Sequence, residues 1–159
     1  MERKLKDKLV DGKFQGPTAV NSARMRAVKA KGNKSTEARL RSMLVRAGIR
    51  GWKLHLGNIV GKPDFYFPER KVAVFVDGCF WHGCPRCGHV PKANHPYWKA
   101  KIERNVQRDR ANNARLNELG ISVLRFWEHE LRLEPRQVVQ RTRHAIGSFK
   151  RAGLPSPGA

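Results

Sequence analysis

With 159 residues the chain has the length of one ordinary domain, and its 40% hydrophobic residues exclude wholesale disorder. It carries 33 Lys and Arg against 13 Asp and Glu, a formal charge of +20 that repels itself in a compact fold, so an anionic partner explains it better than solubility alone. Nucleic acid is the leading candidate, because phosphate neutralisation drives such binding directly. No apolar run approaches a membrane span and no secretory leader is visible, so we expect a cytoplasmic, nucleoid-associated protein.

The N-terminal part of the chain is polar and basic. Residues 1–20 are rich in lysine and interrupted by glycine and proline, and we expect a flexible arm there. The basic segment 22–34 is expected to follow phosphates or to form a short helix. A firmer helix comes next, with Leu40 and Leu44 at helical spacing and Gly48 as its stop.

Strand-like segments follow this helix. Residues 53–56 alternate in polarity, and residues 64–67 and 72–76 flank a tight turn, which predicts a β-hairpin. The second arm of the hairpin is apolar nearly throughout, so we expect a central strand buried on both faces. Residues 77–97 are rich in Gly, Pro, Cys and His; a loop of this length is expected to be functional or held by a metal.

The remainder of the chain predicts a helix over 98–119, a strand over 121–127 and a helix over 135–149. The order of helix, strands, helix, strand and helix indicates a mixed α/β sandwich. We therefore expect one domain over 21–150 and a disordered tail over 151–159.

Three cysteines lie within nine positions, in the pattern Cys79-x4-Cys84-x2-Cys87. An odd, tight cluster in a reducing compartment favours a metal over disulfides, and Zn²⁺ prefers four such N or S ligands. The alternative is three free thiols or a redox pair. The fourth ligand stays open among four histidines: His82, His89, His95 and His129. Because all positions would be filled by protein, this zinc would hold the loop and perform no chemistry.

Acidic side chains stand at the ends of the predicted strands. Asp64 opens one arm of the hairpin and Asp77 closes the other, while Glu37 lies on the preceding helix. Mg²⁺ takes few protein ligands, so converging carboxylates suit metal-dependent phosphodiester cleavage. His82 could act as a base or acid if the loop folds back. The alternatives are turn-forming roles for the aspartates, and a zinc-ligand or plain loop role for His82.

These residues belong to longer strings that resemble the very short patch repair (Vsr) endonuclease family. The resemblance covers about residues 20–145 in one order. The matching strings are Asn21-Ser22-Ala23-Arg24-Met25-Arg26, Glu37-x-x-Leu40, Pro63-Asp64-Phe65, Val76-Asp77-Gly78-Cys79-Phe80-Trp81-His82, Tyr97-Trp98 with Lys101-Ile102 and Asn105, Arg108-Asp109-Arg110, and Trp127-Glu128. The string Gly-Cys-Phe-Trp-His is specific, and its conjunction with the others argues against coincidence.

The resemblance implies a restriction-endonuclease-like mixed sheet flanked by helices, with a structural zinc loop. It also implies nicking on the 5′ side of the thymine in T·G mismatches left by deamination of 5-methylcytosine. Asp64 would be the principal Mg²⁺ ligand, Val76 would lend its carbonyl, and Glu37 would hold water on the metal. His82 would be the base. Some members carry histidine at the position of Asp77, so its direct metal role stays open.

The resemblance further implies a set of residues that contact DNA: Phe80, Trp81, Trp98, Arg24, Arg26 and Asn105. The three aromatic residues would form a wedge entering the stack beside the mismatch, where unstacking costs less. The alternatives are packing under the loop for Phe80 and Trp81, core packing for Trp98, and solvated charge for the arginines.

The same resemblance bears on the zinc site. The family's late zinc cysteine, which follows Trp-Glu, is His129 here, and its earlier histidine ligand corresponds to about Cys84. The implied set is Cys3His, which favours His129 as the fourth ligand.

We expect a monomer acting on double-stranded DNA that contains a T·G mismatch, with a mismatch-repair protein as a further partner. Two other functions fit the charge and the cysteines. One is a zinc-stabilised nucleic-acid-binding module without catalysis, and the other is a restriction-type nuclease that cuts undamaged DNA.

Overall fold

The computed structural model describes residues 9–10, 13–14 and 36–148. The elements in chain order are β1 (Leu9–Val10), β2 (Lys13–Phe14), α1 (36–46), β3 (Lys53–Leu54), β4 (Phe65–Phe67), β5 (Val72–Asp77), α2 (His95–Glu118), β6 (Ser122–Trp127), α3 (Glu128–Leu133) and α4 (Pro135–Ser148). A single 3₁₀ turn, Pro68–Arg70, joins β4 to β5.

Four strands form one mixed sheet in the order β3-β4-β5-β6. The pairs β3–β4 and β4–β5 are antiparallel, and Phe65 faces Val74 in the second of them. Strands β5 and β6 are parallel, with α2 between them in the chain, because a parallel pair needs a long crossover connection. The predicted hairpin and the predicted central strand are both confirmed.

Helices cover both faces of the sheet, so the α/β class is confirmed. Along β5, Val72 and Val74 join a buried cluster with Leu40 and Leu44 of α1. The alternate residues Ala73 and Phe75 pack in a second cluster with residues of α2 and of the turn before β6, namely Leu116 and Ile121. Alternation along a strand sends successive side chains to opposite faces, and each fully buried leucine contributes roughly 2 kcal/mol.

Three elements, one helix and two short strands, were not anticipated from the sequence. Helix α3 has only six residues, too few for a periodic pattern, and Glu130 Oε2 accepts the Trp127 N–H at 2.6 Å to fix its start. Strands β1 and β2 pair antiparallel, with Leu9 opposite Phe14, in an arm whose composition predicted no regular structure.

The other boundaries differ little from the sequence-based expectation. Helix α2 starts at His95, three residues before the predicted start, with a proline in its first turn, where proline is tolerated. The predicted tail 151–159 and the basic segment 22–34 lie outside the described residues. Among residues that are described, no helix is long and apolar enough to cross a membrane.

Candidate active site

Four side chains from two distant parts of the chain converge at one point. His129 Nδ1 lies 3.3 Å from Cys79 Sγ, 3.6 Å from Cys84 Sγ and 3.4 Å from Cys87 Sγ. The Sγ atoms of Cys84 and Cys87 are 3.6 Å apart. A tetrahedral Zn²⁺ with ordinary bond lengths requires S···N edges of about 3.5 Å and S···S edges of about 3.8 Å. The four residues therefore fit a zinc ion.

His129 differs from the other candidate histidines in its burial. It is 7% exposed in the first turn of α3. His89 is exposed and packs against the Phe80 ring, 5.9 Å between centroids, and His95 is exposed at the start of α2. His82 pairs with a carboxylate elsewhere. Of the four histidines, only His129 lies with the three cysteines.

Backbone turns shape the cysteine loop around this point. The Cys84 N–H donates to the Cys79 carbonyl at 2.9 Å, and the Gly88 N–H donates to the Cys84 carbonyl at 2.8 Å. A Cβ on Gly88 would stand 2.5 Å from that carbonyl oxygen, so only glycine fits there. Sequence reasoning missed Gly88; its position directly after Cys87 was the available signal. Burial raises the pKa of Cys79 to about 12, and the neighbouring Cys87 sulfur adds to the effect, so a cation at this point would favour the Cys79 thiolate.

Asp64 lies just before β4, beside the end of β5. Its Oδ2 accepts the Val76 N–H at 2.7 Å. Continuing the register of Phe65 with Val74 sets Pro63 opposite Val76. Proline has no N–H, so the Val76 carbonyl, which projects to the same side as its N–H, loses its ladder donor. The Pro63-Asp64 pair therefore ends the ladder and leaves an acid and a carbonyl side by side.

Two other acids, Glu37 and Asp77, lie close enough to Asp64 for their charges to affect its pKa. Burial raises the pKa of Asp64 above its usual value, the Val76 N–H opposes this, and the charges of Glu37 and Asp77 raise the pKa further. Glu37, on α1, lies 3.1 Å from His55 Nε2. Desolvated carboxylates that repel one another are the arrangement a hard divalent cation stabilises.

Asp77, at the end of β5, is placed differently. It is 5% exposed, and its two oxygens accept hydrogen bonds from Arg125, Nε to Oδ2 and Nη2 to Oδ1, both at 2.6 Å. This is the bidentate fork that arginine forms with carboxylates. The Arg125 guanidinium therefore already binds both oxygens of Asp77, the residue whose direct role in metal binding the sequence left open.

The cysteine loop folds back and brings His82 to α2. Its Nδ1 lies 2.5 Å from Asp109 Oδ2 and 3.6 Å from Asp77 Oδ1. Asp109 Oδ1 is 3.2 Å from Arg125 Nη2. Sequence reasoning assigned no role to Asp109 or Arg125. The available signals were an acid inside a matching string and a lone charge within an otherwise apolar strand.

The predicted wedge residues form one half-buried aromatic cluster. Phe80 lies 4.9 Å from Trp81 and 5.5 Å from Trp98 between ring centroids, in edge-to-face geometry. Lys101 Nζ stands 5.6 Å from both tryptophan rings, and Asn105 Nδ2 donates to the Trp81 carbonyl at 2.9 Å. None of the three aromatic residues belongs to either buried core cluster. Arg24 and Arg26 lie outside the described residues.

Comparison with known proteins shows which proteins the chain is similar to. A family model of the DNA mismatch endonuclease Vsr matches residues 17–87. The chain is 49% identical over 120 residues to the type II nicking enzyme V.NaeI of Lentzea aerocolonigenes, covering 72% of each protein. It is 41% identical over 125 residues to the type II nicking enzyme V.NmeDIP of Neisseria meningitidis serogroup C, covering 77% of this chain and 82% of that enzyme. It is 38% identical over 116 residues to the DNA mismatch endonuclease Vsr of Escherichia coli strain K12, covering 72% of each.

Proposed function

Because this chain belongs to the Vsr family of DNA mismatch endonucleases, we propose that its DNA endonuclease activity nicks one strand on the 5′ side of the thymine in a T·G mismatch. Such mismatches arise when 5-methylcytosine is deaminated. The observation that carries the proposal is the pairing of His82 with Asp109 in the loop that directly follows β5, the strand whose end bears Val76 beside Asp64. A binding module without catalysis does not account for this arrangement.

The metal-binding part of the proposal concerns the edge of β4 and β5. Asp64 and the Val76 carbonyl would hold Mg²⁺, with Glu37 nearby on α1. Oxygen donors and crowded acids fit a hard cation. When bound, Mg²⁺ would supply Lewis-acid charge to the scissile phosphate. In the described chain the second oxygen of Asp64 accepts no hydrogen bond, so it remains available.

The proton-transfer part concerns His82. With Asp109 Oδ2 at its Nδ1, the neutral imidazole carries its proton on Nδ1 and leaves the Nε2 lone pair free to accept one. Within residues 36–148 no hydrogen bond reaches Nε2. His82 would take a proton from the attacking water there, and Asp109 would stabilise the imidazolium that results.

The zinc site would act as a clamp. Four protein ligands leave no open position, so the ion would supply folding energy to the loop and no catalysis. Cys79 and Cys84 bracket Phe80, Trp81 and His82 in the chain. Holding the two cysteines therefore presents the aromatic pair and the base from one rigid turn.

The aromatic cluster of Phe80, Trp81 and Trp98 would provide mismatch recognition. Apolar rings that enter a base step require unstacking, which costs least at a mispair. Arg24 and Arg26 would contact phosphates. A mixed sheet with acids at the ends of adjacent strands also supports a restriction-endonuclease-like fold, which we include in the proposal.

A nicking assay tests the proposal. A labelled duplex with a T·G mismatch and a matched T·A duplex are incubated with Mg²⁺ and the parent protein, Asp64→Ala or Glu69→Ala. Glu69 is an exposed acid at the other end of β4 and serves as the control. We expect strand-specific nicking of the T·G duplex by the parent and by Glu69→Ala only.

Three results would count against it. Absence of cleavage by the parent protein across sequence contexts, or equal cleavage by Asp64→Ala, contradicts the proposed chemistry. Equal cleavage of the T·A duplex contradicts the mismatch role and leaves a nuclease for undamaged DNA. In the proposed model, Trp81→Ala loses the preference for mismatched DNA.

A further inference from the structure

Arg125 is the most heavily engaged side chain near the proposed active site. Its guanidinium forms a fork with Asp77 at 2.6 Å, approaches Asp109 Oδ1 at 3.2 Å and donates to Asn113 Oδ1 at 3.0 Å. Its Cζ lies 4.7 Å from the centre of the Phe75 ring. Three hydrogen-bonding partners and one aromatic face therefore fix the guanidinium plane.

The position of Arg125 in the sheet makes this engagement notable. It pairs with Phe75 in the parallel ladder and its side chain is only 20% exposed. Burial alone would lower the pKa of Arg125, but the hydrogen bonds and charges of Asp77 and Asp109 raise it above its usual value. A cation buried between strand and helix is unfavourable unless carboxylates compensate for its lost hydration, and here two do.

Two carboxylates compete for one imidazole at this point. Asp109 Oδ2 is 2.5 Å from His82 Nδ1, and Asp77 Oδ1 is 3.6 Å from the same atom. Arg125 engages both oxygens of Asp77 but only Oδ1 of Asp109. Asp109 Oδ2 is thereby left as the short acceptor for His82.

We propose that Arg125 is a positioning residue that orients His82 through Asp109, and that Asp77 anchors Arg125 instead of binding Mg²⁺. This inference rests on the proposed role of His82 as the base. Arg125 does not touch the reacting atoms. It decides which carboxylate holds the imidazole, and so where the Nε2 lone pair points.

The first test separates kcat from KM in nicking of a T·G duplex. Arg125→Gln lowers kcat roughly 10- to 100-fold and leaves KM within about twofold, because a misplaced base weakens the chemical step and not DNA binding. The control is Arg143→Gln. Arg143 is exposed on α4, and its Nη2 donates to the Ala47 carbonyl at 2.7 Å, outside the Asp109–His82 pair. Its kcat stays within about twofold of the parent value.

A double-mutant cycle tests whether Arg125 acts through Asp109. If it does, Arg125→Gln added to Asp109→Asn lowers kcat by less than about threefold, far below the product of the single effects. Multiplicative effects overturn the proposal, as does an unchanged kcat or a change confined to KM in Arg125→Gln.

Two measurements keep the proposal falsifiable if Arg125→Gln folds poorly. Arg125→Lys retains the charge but lacks the fork, so it is expected to fold with its zinc and still lose kcat. Millimolar guanidinium is expected to restore kcat to Arg125→Ala and not to Asp109→Asn. Parental kcat in Arg125→Lys, or absence of rescue in a folded Arg125→Ala, contradicts the positioning role.

The anchoring role of Asp77 has a readout separate from activity. Calorimetric Mn²⁺ binding is expected to weaken roughly 10- to 100-fold in Asp64→Asn and less than about threefold in Asp77→Asn. Equal weakening makes Asp77 a ligand and overturns this part. If His82→Ala kept full activity, His82 would not be the base, and the proposed function itself would fail. No result with the Arg125 variants leads to that conclusion.

Discussion

Two aspartates flank neighbouring strands of one hairpin, Asp64 just before β4 and Asp77 at the end of β5, and their surroundings differ. Asp64 has a backbone N–H as its partner and other acids nearby, and burial raises its pKa. Asp77 is more deeply buried, yet a guanidinium covers both of its oxygens. We infer from this comparison that Asp64 is the acid available to a metal ion, because the protein already supplies a cation to Asp77.

The largest expected effect separates the two aspartates by activity. Asp64→Asn keeps an acceptor for the Val76 N–H but removes the charge, and we expect nicking to fall roughly 1,000-fold, because several kcal/mol of metal-dependent stabilisation of the transition state are lost. The nicking rate of Asp77→Asn is expected to fall less than about 100-fold. Single-turnover rates at saturating Mg²⁺ measure both, and equal losses would erase the distinction.

The next prediction concerns the proposed zinc site, which would fix the loop that carries His82 close to Asp77. Cys87→Ser removes one of the four proposed zinc ligands, so we expect the zinc content to fall from about one per chain and the free energy of unfolding to fall by roughly 3 kcal/mol. Elemental analysis and denaturant titration measure these quantities. The control is Ser42→Ala, an α1 residue away from the site. A zinc content near zero in parent protein purified without chelator would refute the site.

The two aspartates are also expected to differ in their contribution to stability, and substitution of Asp77 is expected to lower the free energy of unfolding. Asp77→Asn leaves the Arg125 guanidinium with Asp109 as its one remaining carboxylate, so we expect the free energy of unfolding to fall by up to about 3 kcal/mol. Urea titration measures the change. Asp77→Asn combined with Arg125→Gln is expected to cost less than the sum of the single substitutions, and additivity would show that the pair is not coupled.

The smallest expected effect is a gain in stability, not a loss, and it concerns Asp64→Asn. The folded protein holds the Asp64 proton more tightly than the usual value of 3.8 implies, so the contribution of this group to stability is present at low pH and is lost as pH rises through the raised pKa. At neutral pH without added Mg²⁺, Asp64→Asn is expected to raise Tm by roughly 2–4 °C, or about 1 kcal/mol. Thermal melts across pH should show this gain disappearing in acid; a lower Tm at neutral pH would contradict the account.

Local patterns in the sequence were sufficient for the hairpin and the central strand. Apolar runs around a tight turn predicted β4 and β5, and these predictions are confirmed because alternation and turn chemistry act over neighbouring residues. The three cysteines likewise lie close in the chain. The fourth zinc ligand was open from spacing alone, and the family resemblance favoured His129, which the fold brings to the cysteines from 42 positions away.

The sequence by itself determined the basic charge, the order of the main-sheet strands and of the three longer helices, the family and the identity of the acids at the strand ends. Only the tertiary structure decided which of those acids is neutralised. Arg125 reaches Asp77 across 48 positions, and His82 reaches Asp109 across 27. The pairing of a charge depends on distance and burial in space, and neither quantity is encoded by spacing along the chain.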